Sequence, residues 1–315
     1  MIGQRGAVFV DLHMVAMSQK LALFIVSAFF VGIVSSGKGG QGRERRSLVH
    51  YAQGDAIQDG RPMGSLMKMG NSEHEEKLAE LIKKPKHYEE IVAKEKAKPI
   101  VTDFVESVAP STRGATTDLS KKWDYKMTIV IAPEFSDEAR EMLLSAIYTL
   151  SEALKCFQFY VTRKGVTLPS RKDHLVISRD RDGCLSMLGK QSGQQFVFLG
   201  ERCNLYGTAI HEIIHALGFY HEHTRPDRDN YVTVDWSQIK TANGKLQFKI
   251  SDQNYPKEYD FDSLMHYPFS PILQPLPGKV PPGARPGQRD HLSKNDIMQL
   301  QALYPCSNSP FYRKK

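Results

Sequence analysis

Residues 211–222 read His-Glu-Ile-Ile-His-Ala-Leu-Gly-Phe-Tyr-His-Glu, and this stretch decides the fold and the chemistry that we expect. His211 and His215 are four residues apart, so on a helix their side chains lie on one face, one turn apart. Two neutral imidazoles on one face are suitable ligands for a zinc ion. Gly218 can adopt the left-handed conformation that ends a helix, which would bring His221 back as a third ligand. Three protein ligands leave a fourth position open, as is typical of a catalytic zinc site.

Glu212 directly follows the first histidine, which places its carboxylate beside the metal rather than on it. This is the position of a general base that activates a zinc-bound water. Two histidines at i and i+4 also occur on ordinary polar helix faces, but the complete pattern HExxHxxGxxH is much harder to explain by packing. It matches the zinc signature of the metzincin peptidases. The sequence therefore predicts a catalytic zinc site, with one Zn²⁺ per chain.

The residues that follow the zinc motif narrow this resemblance to one family. The motif continues as GFYHEHTRPDRDNYV over 218–232, and SLMHY follows at 263–267. GQR at 287–289 and LYPC at 303–306 lie nearer the end. From near Gly114 to Cys306 the sequence resembles the astacin family of zinc endopeptidases. The resemblance implies an α+β, two-lobed metzincin fold, with a twisted N-terminal sheet and two long helices above the cleft. The C-terminal lobe would be mostly irregular and end in a final helix.

The same resemblance implies roles for four residues outside the zinc motif's ligand set. Met265 would lie below the zinc site in the family's Met-turn. Tyr267 would be catalytic, ligating zinc at rest and stabilising the tetrahedral intermediate during turnover. Glu222 would contact the buried N-terminus of the mature enzyme. Arg289 lies in the segment that forms the S1′ wall in relatives, where a cation favours an acidic residue after the scissile bond. A structural arginine, paired within the domain, is the alternative reading of Arg289.

The four cysteines, Cys156, Cys184, Cys203 and Cys306, are an even number, which fits an oxidising compartment. Two disulfides among four cysteines allow three pairings, and sequence physics alone does not choose between them. The astacin resemblance implies the pairs Cys156–Cys306 and Cys184–Cys203.

The N-terminal third has the features of a secreted precursor. The apolar run 21–34 follows Lys20 and precedes small residues, as in a signal peptide, and it is too short for a comfortable membrane span. Met17 would be the start that gives this signal a short basic N-terminus. We therefore expect a secreted, extracellular protein with no stable membrane association. Its parts would be a signal peptide at 1–37, a largely mobile propeptide at 38–113, a catalytic domain at 114–306 and a tail at 307–315.

Astacin relatives are made as zymogens, in which an aspartate of the propeptide takes the place of the zinc water. Asp103 lies about as far before Trp123 as this switch residue usually does, but it lacks the glycine that is expected before it. Asp55 follows a glycine but lies far upstream. We favour Asp103 and keep Asp55 as the alternative. Arg113-Gly114 resembles the maturation boundary, which implies an activating trypsin-like protease.

The net charge of +7 and the pI near 9.1 are compatible with nucleic acid binding, but the sequence contains no nucleic-acid motif. We expect protein or peptide substrates, no nucleic acid partner, and a monomer. One alternative is a non-enzymatic binding protein with this fold, which the loss of Glu212 or of a ligand would favour. Another is a different metzincin, such as a matrix metalloproteinase, but Glu222 directly after His221 argues against it.

Hydrophobic periodicity predicts the elements around the motif. Residues 194–199 are expected to form the edge strand that binds extended substrate. The Pro- and Gly-rich residues 271–287 are expected to form a long loop over the cleft. Residues 72–97 have helix-forming composition with a break at Pro85, and a solvated helix is the expectation there. Further expected elements are strands at 127–131, 174–178 and 196–199, a helix capped by Ser136, and a final helix from Ser293 through Leu303.

Overall fold

The computed structural model describes residues 78–96, 119–203, 205–251 and 258–312. The predicted signal peptide, the maturation boundary, Asp55 and Asp103 lie outside these residues. The helices are α1 (Tyr88–Lys96), α2 (Asp137–Ala153), α3 (Gly207–Leu217), α4 (Ala242–Gln247) and α5 (Lys294–Leu303). The strands are β1 (Ala79–Leu81), β2 (Lys126–Ile131), β3 (Gln158–Thr162), β4 (His174–Ser178), β5 (Cys184–Ser186), β6 (Gln194–Leu199), β7 (Val232–Val234) and β8 (Leu273–Pro275).

Six strands form one sheet, in the order β1-β3-β2-β4-β6-β5. The four inner strands are parallel to one another, and β1 and β5 run antiparallel at the two edges. β2 (KMTIVI) and β4 (HLVIS) each contain three consecutive aliphatic residues, which is typical of parallel strands buried on both faces. The predicted strands at 127–131, 174–178 and 196–199 are therefore confirmed.

The prediction that residues 194–199 form the edge strand is wrong. β6 pairs with β4 on one side and with β5 on the other, so its backbone is hydrogen-bonded on both sides. The edge on this side of the sheet is β5. A strand of three residues is too short for its alternation to be recognised in a sequence, which is why β5 was not predicted.

α2 and α3 pack against each other and against the sheet. α2 begins as predicted after Ser136, whose hydroxyl accepts a hydrogen bond from the Ala139 backbone N–H over 3.1 Å. Its apolar positions Leu143, Ile147 and Leu150 are fully buried. All residues of α3 are buried, including His211, Glu212 and His215, whose polar groups therefore lie inside the protein.

The C-terminal part has short elements joined by long irregular segments. α5 begins with a capping box, in which Ser293 and Asp296 each accept a hydrogen bond from the other's backbone N–H, and it ends at Leu303 as predicted. Within the segment predicted as a loop, β8 forms a small two-stranded sheet with β7. α4 was not predicted either, since six residues span less than two helical turns.

Both disulfides that the resemblance implies are formed. Cys156–Cys306 joins the end of α2 to the residues after α5, and Cys184–Cys203 joins β5 to the turn before α3. The pairs close loops with sequence separations of 150 and 19 residues. Disulfides that close loops of these lengths each stabilise the folded state by roughly 3 to 5 kcal/mol, because they restrict the freedom of the unfolded chain.

Residues 78–96 belong to the same packed unit. β1 extends the sheet beyond β3, so the helix expected before Pro85 is wrong at residues 79–81, whereas α1 lies after the predicted break at Pro85. Ile82, Ile91 and Val92 pack against the main core, so this helix is only partly solvated. Among the described residues, no helix combines the length and the apolar character that crossing a lipid bilayer requires.

Candidate metal centre and active site

The three motif histidines converge at the end of α3. His211 and His215 lie on one face of this helix, and Gly218 ends it in the left-handed region with a φ of 110°. The Gly218 N–H donates to the His215 carbonyl oxygen over 2.8 Å, and the reversed chain brings His221 back to the helix. The three Nε2 atoms are 3.1, 3.1 and 3.3 Å apart, and all three side chains are buried.

These distances fit a zinc ion. A tetrahedral site with Zn–N bonds of about 2.0–2.1 Å separates its nitrogen ligands by about 3.3 Å. His211 Nδ1 donates to the Leu264 carbonyl oxygen over 2.8 Å, and His215 Nδ1 donates to that of Phe219 over 2.6 Å. A neutral imidazole that carries its proton on Nδ1 presents a lone pair at Nε2. The lone pairs of His211 and His215 thus face each other, and a shared cation would remove their repulsion.

Glu212 follows His211 in α3, and its side chain is completely buried. Its neighbour His211 contacts the turn that contains Met265, because the Leu264 carbonyl oxygen is the acceptor of the His211 ring N–H. The Met265 carbonyl oxygen in turn accepts from the Glu222 N–H over 3.0 Å. The structure therefore places the predicted Met-turn in contact with His211, the first predicted ligand, and with Glu222, the residue after the third.

A buried carboxylate fixes this turn. Asp296 accepts hydrogen bonds from the Ser263 hydroxyl over 2.6 Å and from the Leu264 N–H over 2.8 Å, in addition to its capping bond with Ser293. Burial raises the pKa of Asp296 to about 6, although these hydrogen bonds lower it. One side chain thus starts α5 and orients the carbonyl that holds His211. Sequence reasoning missed this role, although Ser293 and Asp296 have capping-box spacing.

Tyr267 packs directly against the ligand set. Its ring centroid is 4.3 Å from that of His221 and 4.0 Å from that of His223. The Tyr267 hydroxyl donates to Gln247 Oε1 over 3.2 Å, and the backbone oxygen of Gln247 accepts from His223 Nε2 over 3.1 Å. The end of α4 therefore holds two side chains of the site. Nothing in the sequence around Gln247 predicted this contact.

Glu222 forms a buried ion pair with Arg225. Glu222 Oε1 accepts from Arg225 Nη1 and from the Asp260 backbone N–H, each over 2.9 Å. Burial raises the pKa of Glu222 to about 8, while the neighbouring Arg225 lowers it. Arg225 also binds the carboxylate of Asp227 through two nitrogen atoms. The predicted contact of Glu222 with a mature N-terminus stays a prediction, because the maturation boundary lies outside the described residues.

Arg289 is half-buried and lies against the Met-turn. Its Nη1 donates to the carbonyl oxygens of Leu264 and Gln288 over 2.8 Å each, and to that of His266 over 3.3 Å. These bonds agree with the structural reading of Arg289, and a role in substrate selection stays a prediction. The Arg289 backbone also crosses the start of α3, where a Cβ atom on Gly207 would lie 1.6 Å from the Arg289 carbonyl oxygen.

Comparison with known proteins places the whole catalytic part in one family. The model of the Astacin peptidase family matches residues 115–305. The chain belongs to the astacin family. It is 33% identical to meprin A subunit alpha of Rattus norvegicus over 211 residues, which cover 64% of this chain and 27% of that protein. It is 30% identical to zinc metalloproteinase nas-7 of Caenorhabditis elegans over 243 residues, which cover 72% of this chain and 62% of that protein.

Among solved structures, the hatching enzyme zinc-protease high choriolytic enzyme 1 of Oryzias latipes is 32% identical. The match covers 57% of this chain and 90% of that chain, with a TM-score of 0.49. The chain spans about a quarter of the length of the meprin relatives that it matches. Astacins are zinc-dependent peptidases, and the predicted family and fold class are confirmed.

Proposed function

We propose that this chain is a secreted, zinc-dependent astacin endopeptidase that is made as a latent zymogen and hydrolyses internal peptide bonds of proteins. The observation that carries the proposal is the convergence of the three Nε2 atoms of His211, His215 and His221, with the buried Glu212 directly after His211 in α3. One Zn²⁺ would be held by the three histidines. When bound, it supplies Lewis acidity toward the scissile carbonyl and toward water.

The protein's own groups would move the protons. The Glu212 carboxylate takes up one proton when water attacks and delivers it to the nitrogen of the leaving amine. Glu212 ends in the state in which it began, and no covalent bond to the enzyme forms. The Tyr267 hydroxyl would leave Gln247 and donate to the substrate oxygen as that oxygen gains negative charge.

Extended substrate would bind beside β5. Since β5 is the edge strand on this side of the sheet, a peptide can pair with its backbone. The Gly189 N–H, just after β5, donates to the His215 carbonyl oxygen over 2.9 Å, which fixes this edge against the metal-binding helix. We propose that Arg289 also favours an acidic P1′ residue, because its bonds to the Leu264 and His266 carbonyl oxygens hold a half-buried cation next to Tyr267.

Latency would depend on the propeptide. We propose Asp103, with Asp55 as the alternative, as the residue that blocks the metal. Cleavage after Arg113 by a trypsin-like protease would then free an N-terminus that folds toward Glu222. The buried position of Glu222 supports this anchor, since an ammonium group would add a second cationic partner, beside Arg225, to a buried carboxylate.

The deciding experiment is the cleavage of a peptide library by the purified chain, before and after limited trypsin treatment. We expect cleavage only after trypsin, with acidic residues enriched at P1′, and complete loss with a chelator. Glu212→Ala should lower kcat at least about a hundredfold, because general acid–base catalysis contributes roughly 10²–10⁴. Glu138→Ala, which removes an exposed carboxylate from α2, is the matched control and should change little.

Other outcomes would redirect the proposal in specific ways. No cleavage by folded, zinc-loaded protein would favour the non-enzymatic binding protein. A library without acidic preference at P1′ would leave Arg289 with its structural role. A fully latent Asp103→Ala proenzyme would reject Asp103 as the switch.

A further inference from the structure

The segment 78–96 occupies the edge of the sheet opposite β5. β1 pairs antiparallel with β3, in the register Ala79 with Thr162 through Leu81 with Tyr160. The ladder continues with the Ile82 N–H, which donates to the Phe159 carbonyl oxygen over 2.8 Å. A strand added in this way contributes backbone hydrogen bonds and covers an edge that would otherwise stay exposed.

Tyr88 of α1 connects the same segment to α2 and to the residue before α3. The Tyr88 ring meets Tyr148 of α2 edge to face, with centroids 5.0 Å apart. Its hydroxyl is 3.0 Å from Thr149 Oγ1, which is 2.9 Å from the Tyr206 hydroxyl. Thr149 donates to the Ser145 carbonyl oxygen, so it can accept from both tyrosines. Tyr206 is buried and directly precedes α3, so Thr149 links the segment to the start of the helix that carries His211 and His215.

The apolar side of the segment is part of the main core. Ile82, Ile91 and Val92 pack against the large cluster that contains α2 and α3. Ala79 and Glu95 are buried as well. Removing the segment would therefore expose apolar surface and leave one side of β3 without backbone partners. Each of these changes disfavours release.

We propose that residues 78–96 remain bound after the chain is cut at the maturation boundary, so that the mature enzyme is a non-covalent complex of two pieces. The proposal rests on the proposed cleavage after Arg113. None of the contacts given above involves residues 97–118, so a cut there breaks none of them. The surface formed by β3, α2 and Tyr206 is then a second binding surface of the domain, and its occupant is this segment of the same chain.

The test uses the full chain with a recognition sequence for a site-specific protease placed within 97–118, in a Glu212→Ala background that prevents self-cleavage. After cutting, size-exclusion chromatography should give one peak that contains both pieces in equal amounts. We expect a dissociation constant at or below about 1 µM. The proposal is overturned if the fragment that contains residues 78–96 elutes alone at a protein concentration of about 10 µM. It is also overturned if the complex has twice the mass of one chain, because a second copy would then occupy the surface.

Two variants form a matched pair for the strand. Glu80 and Leu81 both have exposed side chains. Because Ile82 donates to β3, the alternation of an antiparallel ladder directs the Glu80 N–H toward β3 and the Leu81 N–H away from it. Glu80→Pro should raise the dissociation constant at least about tenfold and Leu81→Pro no more than about threefold. Equal effects would contradict the strand contact.

Tyr88 tests the helix contact. Tyr88→Phe removes only the hydroxyl and should raise the dissociation constant about fivefold, while Tyr88→Ala also removes the ring contact and should raise it more than about tenfold. Binding that is insensitive to both substitutions contradicts the contact. Retention is measured without activity, whereas the proposed function is tested by peptide cleavage with Glu212 restored. The two can therefore fail separately.

Discussion

The N-terminal sheet region and the C-terminal region of this astacin are stabilised in different ways. The N-terminal region is a parallel sheet covered by α2 and α3, and its core is continuous and apolar. The C-terminal region has three-residue strands and short helices, and much of its buried interior is charged or hydroxylated. In the first region stability comes from packed apolar area, and in the second it depends on hydrogen-bonded side chains that also orient the metal ligands.

The largest effect is expected where the two regions meet, at Gly207. A Cβ atom there would lie 1.6 Å from the Arg289 carbonyl oxygen, and backbone must move to make room. We expect Gly207→Ala to lower the free energy of unfolding by at least about 4 kcal/mol, as measured by urea denaturation. Gly278→Ala is the control. Gly278 has a φ of +72° but no atom within 4 Å of the added Cβ, so about 1–2 kcal/mol is expected. Similar losses in both variants would show that the crossing at Gly207 can relax.

The second prediction separates stability from metal binding. Ile147→Ala removes a fully buried side chain of α2, and Asp296→Ala removes the carboxylate that orients the Met-turn. Each should lower the free energy of unfolding by about 3 kcal/mol. Only Asp296→Ala should also weaken zinc binding, by about tenfold, because Leu264 no longer orients His211.

Zinc affinity is measured by competition with a chromophoric chelator for both variants. A loss of affinity in Ile147→Ala equal to that in Asp296→Ala would remove the distinction between the two regions. Unchanged affinity in both would mean that the Met-turn keeps its position without the carboxylate.

This difference also explains what the sequence could predict. β2, β4 and α2 follow from periodicity, because packing against apolar neighbours repeats along each element. The histidine triad proposed to bind zinc follows from spacing within one helix and its glycine turn. The contacts of Gln247 with Tyr267, of Glu222 with Asp260 and of Asp296 with Ser263 join residues that are far apart in the chain. They follow no period, and only the folded structure brings them together. β5 and β8 were missed because three residues show too little alternation.

The third prediction concerns the pH dependence of stability, and it rests on His266 of the C-terminal region. Tyr259 donates its hydroxyl to His266 Nε2, and His266 Nδ1 donates to the Tyr267 carbonyl oxygen, so the ring is neutral. Burial lowers the pKa of His266 from 6.5 to about 4. Between pH 6.5 and 4, His266 is protonated in the unfolded chain but neutral in the folded protein, which favours unfolding. The contribution of His266 to the free energy of unfolding is therefore fully present above pH 6.5 and is lost as the pH falls toward 4. The loss is about 3 kcal/mol.

His266→Gln should be less stable than the parent at pH 7, since it loses these hydrogen bonds, but the difference should shrink as the pH falls to 4.5. Urea denaturation of both proteins at several pH values measures this. Taking the difference removes the contribution of other groups, including the zinc ligands. A constant difference would mean that the His266 pKa is close to normal in the folded protein.

The smallest expected effects come from the two serine caps, one in each region. Ser136 caps α2 at the exposed end, where its hydroxyl accepts only from the Ala139 N–H among the contacts found. Ser293 caps α5 inside the protein, and its hydroxyl also donates to Asp260 over 2.5 Å. Ser136→Ala should therefore lower the free energy of unfolding by about 1 kcal/mol and Ser293→Ala by about 2 kcal/mol. Ser→Gly variants restore part of the loss in a cap, because glycine is tolerated there, but they do not restore a hydroxyl donor. If Ser293→Gly is as mild as Ser136→Gly, the bond to Asp260 contributes little and the buried polar contacts of the C-terminal region matter less for stability than their number suggests.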